Sequence, residues 1–229
     1  WFQMHKPLQS VSRAYAYYCL AVLCVLNILD QADRWSLPTL QAAGLQCSSC
    51  GVEGDPFYDE CKTECLNISD FEMGLLTGPA FSLTSLTFTI PCGALADRYN
   101  RIVLLAVGLL LWSGATLASA FAGDFLYLLV CRLVLGVGQA AVNPACYSLI
   151  SDYFAPVRRT TMLSIFVAMV YVGQVFGLLS GTLAQATSWR ISFFALGLPG
   201  LVLCPVLLLT VREPERGLGD RIAAREGAG

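Results

Sequence analysis

Charged residues are scarce in this sequence of 229 residues, of which only 13% are Asp, Glu, Lys or Arg. Four stretches contain no charged residue at all: 73–96, 102–123, 160–189 and 191–211. Soluble domains carry about 25% charged residues, so this composition excludes an ordinary soluble protein. A hydrophobic fraction of 56% and a mean hydropathy of +0.63 point the same way. The sequence predicts a chain embedded in a membrane.

The sequence also lacks the side chains of common catalytic and metal sites. Its only histidine, His5, lies outside the hydrophobic stretches, and no cluster of metal ligands lies within them. The glycines around Gly177 have no strand–turn–helix setting, which a dinucleotide site needs. No basic block with interleaved aromatic residues indicates nucleic acid. We therefore expect no enzyme, no cofactor, no bound metal and no nucleic-acid partner.

Six hydrophobic spans account for most of the chain. Each uncharged stretch can cross the hydrocarbon core as a helix, which takes about 20 residues. Two further spans carry embedded charges: the first covers 15–40, and the fourth covers 125–153. The predicted fold is all-α, a polytopic bundle of six transmembrane helices over residues 15–211. Residues 1–14 precede the bundle, 212–229 begin a linker, and 41–70 form a loop between spans one and two. A first residue other than Met, and no seventh span, favour a fragment of a longer protein.

The distribution of Lys and Arg predicts the orientation, because positive residues near helix ends resist translocation. One side carries ten of them: Lys6, Arg13, Arg98, Arg101, Arg158, Arg159, Arg212, Arg216, Arg221 and Arg225. The other side carries about three, namely Lys62, with Arg190 and Arg34 near helix ends. Both ends of the chain are therefore expected in the cytoplasm, and loop 41–70 is expected to be lumenal or extracellular.

Loop 41–70 contains four cysteines: Cys47, Cys50, Cys61 and Cys65. In an oxidising compartment they can close two disulfides with three possible connectivities. The same spacing could hold zinc, or the thiols could be free; the predicted topology favours disulfides. Asn67-Ile68-Ser69 in this loop matches the N-glycosylation pattern, so Asn67 is a candidate glycosylation site.

Charged and polar side chains recur on single helix faces within spans one and four. An ionisable group at bilayer depth costs roughly 2.5–3.5 kcal/mol on insertion scales, so it usually faces a partner or a water-filled cavity. Helical spacing places one polar stripe on span four, formed by Arg132, Gly136, Gln139, Asn143 and Tyr147. Another lies on span one, formed by Asn27, Asp30 and Arg34, with Asp33 one turn away. We expect both stripes to face a central cavity, with Asp30 or Asp33 as counter-charge to Arg132. The alternative is an ion pair that only fixes helix packing.

The turn between spans two and three carries a recognisable signature. It reads Gly93-Ala94-Leu95-Ala96-Asp97-Arg98-Tyr99-Asn100-Arg101. This resembles the G-x-L-a-D-r-x-x-R signature of the major facilitator superfamily, in the position that family requires. The resemblance implies a cytoplasmic gate formed by Gly93, Asp97, Arg98 and Arg101 against a C-terminal six-helix half. The simpler alternative is a solvated turn that fixes orientation.

Two more segments are typical of the same superfamily. Arg132-x-x-x-Gly136-x-Gly138 in span four is similar to its R-x-x-x-G-x-G pattern. Gly173, Gly177 and Gly181 in span five form a small-residue stripe that lets two helices approach. The stripe can serve a rocking movement or packing alone.

Longer strings resemble the spinster-like lipid transporters within this superfamily. They are Asp33-Arg34-Trp35-Ser36-Leu37-Pro38, the segment 68–76, the segment 162–166, Trp189-Arg190 with Pro199-Gly200, and the segment 212–217. The resemblance covers about residues 15–217 and corresponds to the N-terminal half of a twelve-span carrier. It implies alternating-access transport of a lysophospholipid or sphingoid lipid, in the plasma membrane or an endolysosomal membrane.

One departure from that pattern bears on ion coupling. Spinster-like proteins usually carry a Glu where this sequence has Gln139. A neutral amide cannot carry a proton at ordinary pH, so coupling to protons would fall on Asp33 and Asp30. Two other functions stay open: a carrier for a small organic anion or sugar, and a scaffold or sensor that retains the fold without transport. Membrane lipids and a small-molecule or lysolipid substrate are the expected partners.

Overall fold

The computed structural model describes residues 11–41, 45, 65–66 and 68–226. Cys47, Cys50, Cys61 and Asn67 lie outside the described residues, as does His5. The helices, in chain order, are α1 (Arg13–Leu40), α2 (Asp70–Thr77), α3 (Pro79–Arg98), α4 (Arg101–Ser119), α5 (Phe125–Ala140), α6 (Val142–Tyr153), α7 (Pro156–Ala186), α8 (Trp189–Thr210) and α9 (Leu218–Glu226).

The prediction of an all-α bundle with six membrane spans is confirmed. Span one is α1, span two is α2 with α3, and span three is α4. Span four is α5 with α6, span five is α7, and span six is α8. Each span is long and apolar enough to cross a bilayer. The short amphipathic helix α9 follows span six.

Spans two and four are each interrupted where proline removes a backbone donor. Gly78 separates α2 from α3, which begins at Pro79. Ala141 separates α5 from α6, three residues before Pro144. Proline lacks an N–H and its ring clashes with the preceding turn, so the helical ladder is broken at such points. The charge pattern alone predicted each of these spans as one uninterrupted helix.

Side-chain caps close the short turns between spans. Asn100 begins α4 by accepting hydrogen bonds from the backbone N–H groups of Ile102 and Val103. Asp124 caps α5 through the Tyr127 N–H, and Ser69 with Glu72 forms a capping box at the start of α2. These caps satisfy N–H groups that the helix itself leaves without partners.

The glycine stripe of span five lies against span one. A Cβ at Gly173 would lie 2.6 Å from the Gln31 Cβ, and one at Gly181 would lie 2.8 Å from the Thr39 Cβ. The contact runs the length of α1 and α7, which pack along each other. The stripe therefore sets the close approach of these two helices.

The glycines of span four serve two other interfaces. A Cβ at Gly136 would lie 3.0 Å from the Thr84 Cβ of α3. A Cβ at Gly138 would lie 2.7 Å from the Gly108 carbonyl oxygen of α4. Helix α5 is thus held closely between spans two and three, and the position of Arg132 is fixed by backbone contacts on both sides.

Two apolar layers enclose a polar layer in the bundle. One hydrophobic cluster uses the α1 residues from Ala16 to Leu26 with residues of spans two to six. The other uses Leu37 and Leu40 of α1 with Met73, Leu128 and Phe193. The polar residues of span one lie between these two sets along the same helix. Their depth is therefore near the middle of the bundle.

Substituting Gly177 by Ala is expected to destabilise the bundle. The new Cβ would lie 2.6 Å from the Trp35 Cβ and 2.8 Å from the Ala32 carbonyl oxygen, so α1 and α7 must move apart. Overpacking of this kind typically costs about 1–3 kcal/mol. Thermal unfolding of the purified protein in detergent should show a lower midpoint. Gly114→Ala is the matched control, because no atom lies within 4 Å of its added Cβ. Equal midpoints for the two variants would contradict this packing role.

Candidate functional site

A buried ion pair joins span four to span one. Arg132 is 3% exposed and Asp33 is 2% exposed, so both lie inside the bundle. The Arg132 Nη1 lies 3.9 Å from the Asp33 Oδ2. That distance brings the charges together but exceeds a hydrogen bond. Of the two candidate counter-charges from the sequence, the structure places Asp33 next to Arg132.

Span three and span six complete the surroundings of this pair. The Thr116 hydroxyl of α4 donates a 2.8 Å hydrogen bond to the Asp33 Oδ1. The guanidinium of Arg132 lies 5.8 Å from the ring centroid of Phe193 in α8, within the range of a cation–π contact. Neither Thr116 nor Phe193 was singled out from the sequence, because each lies in an apolar span with no charge to mark it.

Asp30 forms a second charged contact on the same helix. Its Oδ2 lies 3.2 Å from the Arg34 Nε, the i, i+4 pair that the sequence predicts. The Gln31 amide also donates to Oδ2 at 3.1 Å. Asp30 is fully buried, whereas the Arg34 side chain is 26% exposed and lies 4.9 Å from the ring centroid of Phe81. Arg34 therefore lies at the edge of the polar layer.

Two amides line the layer beside these acids. The Gln139 Nε2 lies 3.5 Å from the Asp30 backbone oxygen, and the Asn27 Nδ2 donates to the Phe166 backbone oxygen at 2.8 Å. Both side chains are 1% exposed. The predicted polar stripes are thus brought together at Asn27, Asp30, Asp33, Arg132 and Gln139.

The outer part of the span-four stripe is less enclosed. Asn143 is half-buried, and Tyr147 is 41% exposed with its ring against Phe166 at a centroid distance of 5.6 Å. Both residues follow the break at Ala141, so they belong to α6 rather than α5. The structure does not bring Tyr147 into contact with the Arg132–Asp33 pair.

The polar layer contains more hydrogen-bonding capacity than it uses. Several buried atoms have no hydrogen-bond partner among the described residues: Asn27 Oδ1, Asp30 Oδ1, Asp33 Oδ2, Gln139 Oε1, Arg132 Nε and Arg132 Nη2. Unpartnered polar atoms in an apolar interior are costly, so such groups usually have water, an ion or a ligand as partners. The layer can therefore bind an anion at Arg132. Its unpartnered carboxylate and amide oxygens can accept a hydrogen bond, and the carboxylates can also accept a proton.

Arg101 of the predicted gate has its partners in α6 and in the segment after α8. It is 1% exposed and donates to Asp152 at 2.6 Å and to Glu213 at 2.9 Å. It also donates to the Ser148 hydroxyl at 2.7 Å. The sequence alone did not indicate this network, because the partners of Arg101 lie 47, 51 and 112 positions away along the chain.

The rest of the gate signature is more open. The side chains of Asp97 and Arg98 are exposed. Gly93 is half-buried, and no atom lies within 4 Å of the Cβ that a larger residue would add. Arg216 donates to the Ala96 oxygen at 3.0 Å and also to the Asp97 oxygen, which caps the end of α3. This signature turn is therefore held by its backbone while two charged side chains remain accessible.

Cys65 is disulfide-bonded in the described part of loop 41–70. The other three cysteines of the loop lie outside the described residues, so the framework of two disulfides stays a prediction. The six cysteines of the spans have free thiols. Cys92 is half-buried, and the other five are buried and pack as apolar side chains: Cys19, Cys24, Cys131, Cys146 and Cys204. Among the described residues, no group of three or more His, Cys, Asp or Glu could hold a metal ion.

The sequence of this chain is similar to those of known proteins over nearly its whole length. The chain is 33% identical over 219 residues to protein spinster homolog 3 of Danio rerio, covering 92% of this chain and 39% of that protein. It is 32% identical over 206 residues to protein spinster homolog 1 of Homo sapiens, covering 88% of this chain and 35% of that protein. The chain therefore spans between a third and two fifths of the length of these curated relatives.

The fold of this chain is also similar to the folds of solved structures. A bacterial homologue of the human lysosomal transporter Spinster, in an inward-facing and unoccupied conformation, superposes with a TM-score of 0.75 at 28% identity. The match covers 90% of this chain and 45% of the bacterial one. A peptide transporter at 19% identity and a TM-score of 0.68 shares the fold. Residues 16–226 match the Major Facilitator Superfamily. This multi-pass integral membrane chain belongs to that superfamily.

Proposed function

We propose that this chain forms the N-terminal half of a secondary carrier that moves an amphipathic lipid by alternating access. The substrate class is a lysophospholipid or a sphingoid lipid. The observation that carries the proposal is Arg132, a buried guanidinium with two N–H-bearing nitrogens that have no hydrogen-bond partner among the described residues. An anionic phosphate head group would supply acceptors for both. Similarity to spinster proteins over most of the chain supports the lipid class.

The exposed surfaces of spans two and five support the proposal that a second half packs against this one. In the most apolar part of each span, only 17% of span two and 22% of span five is buried. The corresponding share is 56% for span three and for span four. A half-carrier leaves the faces that meet its partner half uncovered. We propose that the C-terminal six-helix half of the same protein covers part of these two faces, while lipid covers the remainder.

The proposed gate uses the accessible charges of the signature turn. Asp97 and Arg98 are exposed and can meet the second half, whereas Arg101 organises the turn from inside the first half. Ten Lys and Arg residues lie on the side of the membrane that holds this turn and both ends of the chain. Because positive residues resist translocation, we propose that this side is the cytoplasm. The membrane would be the plasma membrane or an endolysosomal membrane.

A carrier for a small organic anion or a sugar is the second candidate. The amides of Asn27 and Gln139 favour it, because both lie in the polar layer with an unpartnered oxygen. A sugar needs many converging polar partners, whereas a lipid needs apolar walls and a lateral opening. A scaffold or sensor without transport is the third, and it would need neither a charged cavity nor a gate.

Uptake into proteoliposomes that contain the complete natural protein separates these candidates. We expect accumulation of a labelled lysophospholipid that unlabelled lysophospholipid competes away. Glycerol phosphate, which has the anionic head group without the acyl tail, is the matched competitor. Strong competition by glycerol phosphate would favour the organic-anion carrier. Absence of uptake of either compound would favour the scaffold.

A further inference from the structure

A cavity of about 670 Å³ lies at the arginine-rich end of the bundle, far from the polar layer. The start of α1, the end of α6, the start of α7 and helix α9 form its walls. Its lining includes Arg13, Arg158, Arg221 and Glu215. Arg13 is seventeen residues from Asp30, or about 25 Å along α1 at the helical rise of 1.5 Å per residue. The size falls within the range of small-ligand sites.

The charge of this cavity is positive. Three arginines and one glutamate line it among the described residues. The single carboxylate is already paired, because the Glu215 Oε2 lies 2.7 Å from the Arg221 Nη1. Arg158 is exposed. The excess of arginine over carboxylate therefore matches an anionic ligand.

The cavity lies where the hydrophobic spans begin. Arg158 comes two residues before the uncharged stretch 160–189, and Arg13 comes two residues before span one. Tyr17 and Val157 also line the cavity, with 43% and 89% of their surfaces exposed. Apolar and aromatic side chains beside arginines are typical of the boundary between head groups and hydrocarbon. A ligand here can have its charged part in the cavity and an acyl tail in the bilayer.

Helix α9 is held as a wall of the cavity by specific contacts. The Arg159 Nη2 lies 2.8 Å from the Asp220 Oδ1, which ties α9 to α7. The Gly217 N–H donates to the Asp152 Oδ1 at 2.9 Å, at a turn where Gly217 has φ = 72°. A positive φ of this kind favours glycine. The cavity is therefore preformed rather than created by a loose segment.

We propose that this cavity binds the phosphorylated head group of an anionic phospholipid from the adjacent leaflet. Basic pockets between transmembrane helices at this depth recognise such head groups. The site is separate from the polar layer around Arg132. The proposal does not depend on what the carrier transports.

Lipid retention by the complete natural protein, measured by native mass spectrometry, tests this site. The probes are a phosphoinositide with ring phosphates, phosphatidylserine, phosphatidylcholine and a soluble inositol phosphate. We expect the phosphoinositide to bind most tightly, and more tightly than the soluble inositol phosphate, because only the lipid also contacts the apolar rim. Equal binding of the soluble compound would overturn the assignment to a lipid. No preference over phosphatidylcholine would overturn the anionic site.

The double substitution Arg158→Gln with Arg221→Gln assigns the binding to this cavity. Loss of two basic side chains at a charged surface should weaken phosphoinositide binding roughly thirtyfold. Loss of Arg221 also leaves the Glu215 carboxylate uncompensated in the cavity. Arg212→Gln is the matched control, since Arg212 is exposed near the same end and does not line the cavity. Equal weakening by the control, or none by the double variant, would contradict the proposal.

Discussion

Lysophospholipid uptake is expected to fall about ten- to hundredfold when Arg132 is replaced by Lys, although the positive charge is retained. A guanidinium offers a planar pair of donors to a phosphate, whereas an ammonium is a compact point charge. The Arg132 Nε and Nη2 have no hydrogen-bond partner among the described residues and are the donors proposed for the substrate. A hydrogen bond to a charged group contributes about 1.5–3 kcal/mol, which gives this range of loss. Initial uptake rates in proteoliposomes provide the measurement.

Arg132→Ala tests the same position more severely, because it also leaves Asp33 without its counter-charge. Removing one member of a buried ion pair typically costs about 3–5 kcal/mol of stability, so unfolding midpoints must be recorded for each variant. The Lys variant keeps the charge and serves as the informative one if the Ala variant unfolds. Arg212→Lys is the control for arginine replacement at an exposed site. Full uptake by the folded Lys and Ala variants would remove Arg132 from the substrate site.

Dependence of uptake on a proton gradient is expected to disappear in Asp30→Asn. Asn has the shape of a protonated Asp but cannot release a proton, so the site is fixed in one state. A proton on Asp30 would give that carboxyl a donor, and unpartnered oxygens of Asn27 and Gln139 are buried in the same polar layer. Asp33→Asn should lower uptake below that of Asp30→Asn, because it also removes the counter-charge of Arg132. The measurement compares uptake with and without a collapsed proton gradient.

The coupling experiment has a conservative control in Asp124→Asn. Asp124 lies outside the polar layer and caps α5, and Asn is an equally good capping residue. This variant should keep the proton dependence of the natural protein. If uptake by the natural protein is itself unchanged when the gradient is collapsed, coupling through Asp30 and Asp33 is wrong.

The spans were predictable from the sequence because charge is excluded from hydrocarbon. Long uncharged runs therefore mark the spans directly, and the structure confirms all six. The breaks at Gly78 and Ala141 were not predicted, since Gly and Pro also occur within continuous membrane helices. Whether such a residue breaks or bends a helix depends on its neighbours in the bundle.

The candidate site was predictable in part for the same reason. A charge at bilayer depth is rare enough to identify Arg132, Asp30 and Asp33 without a structure. The choice between the two acids as partner of Arg132 required coordinates, because both lie on span one within one turn. Thr116 carries no charge, and its role in holding Asp33 follows only from the packing of α4.

The partners of Arg101 lie far away in the sequence and could not be predicted from it. The superfamily signature implied a role for it at the gate, yet its side chain is enclosed by Asp152 and Glu213, residues 51 and 112 positions away. Nothing local to Arg101 indicates those partners. The glycine stripe is the opposite case, because its four-residue spacing predicted a close helix contact before the partner helix was known.

A structure of the complete natural protein with a lysophospholipid bound would test directly whether Arg132 binds the substrate. We predict density for the phosphate within about 3 Å of the Arg132 Nε or Nη2, the distance of a charge-assisted hydrogen bond. The acyl tail should extend along apolar side chains away from the polar layer. A lipid bound only outside the bundle, with Arg132 still paired to Asp33 alone, would contradict the assignment of Arg132 to the substrate site.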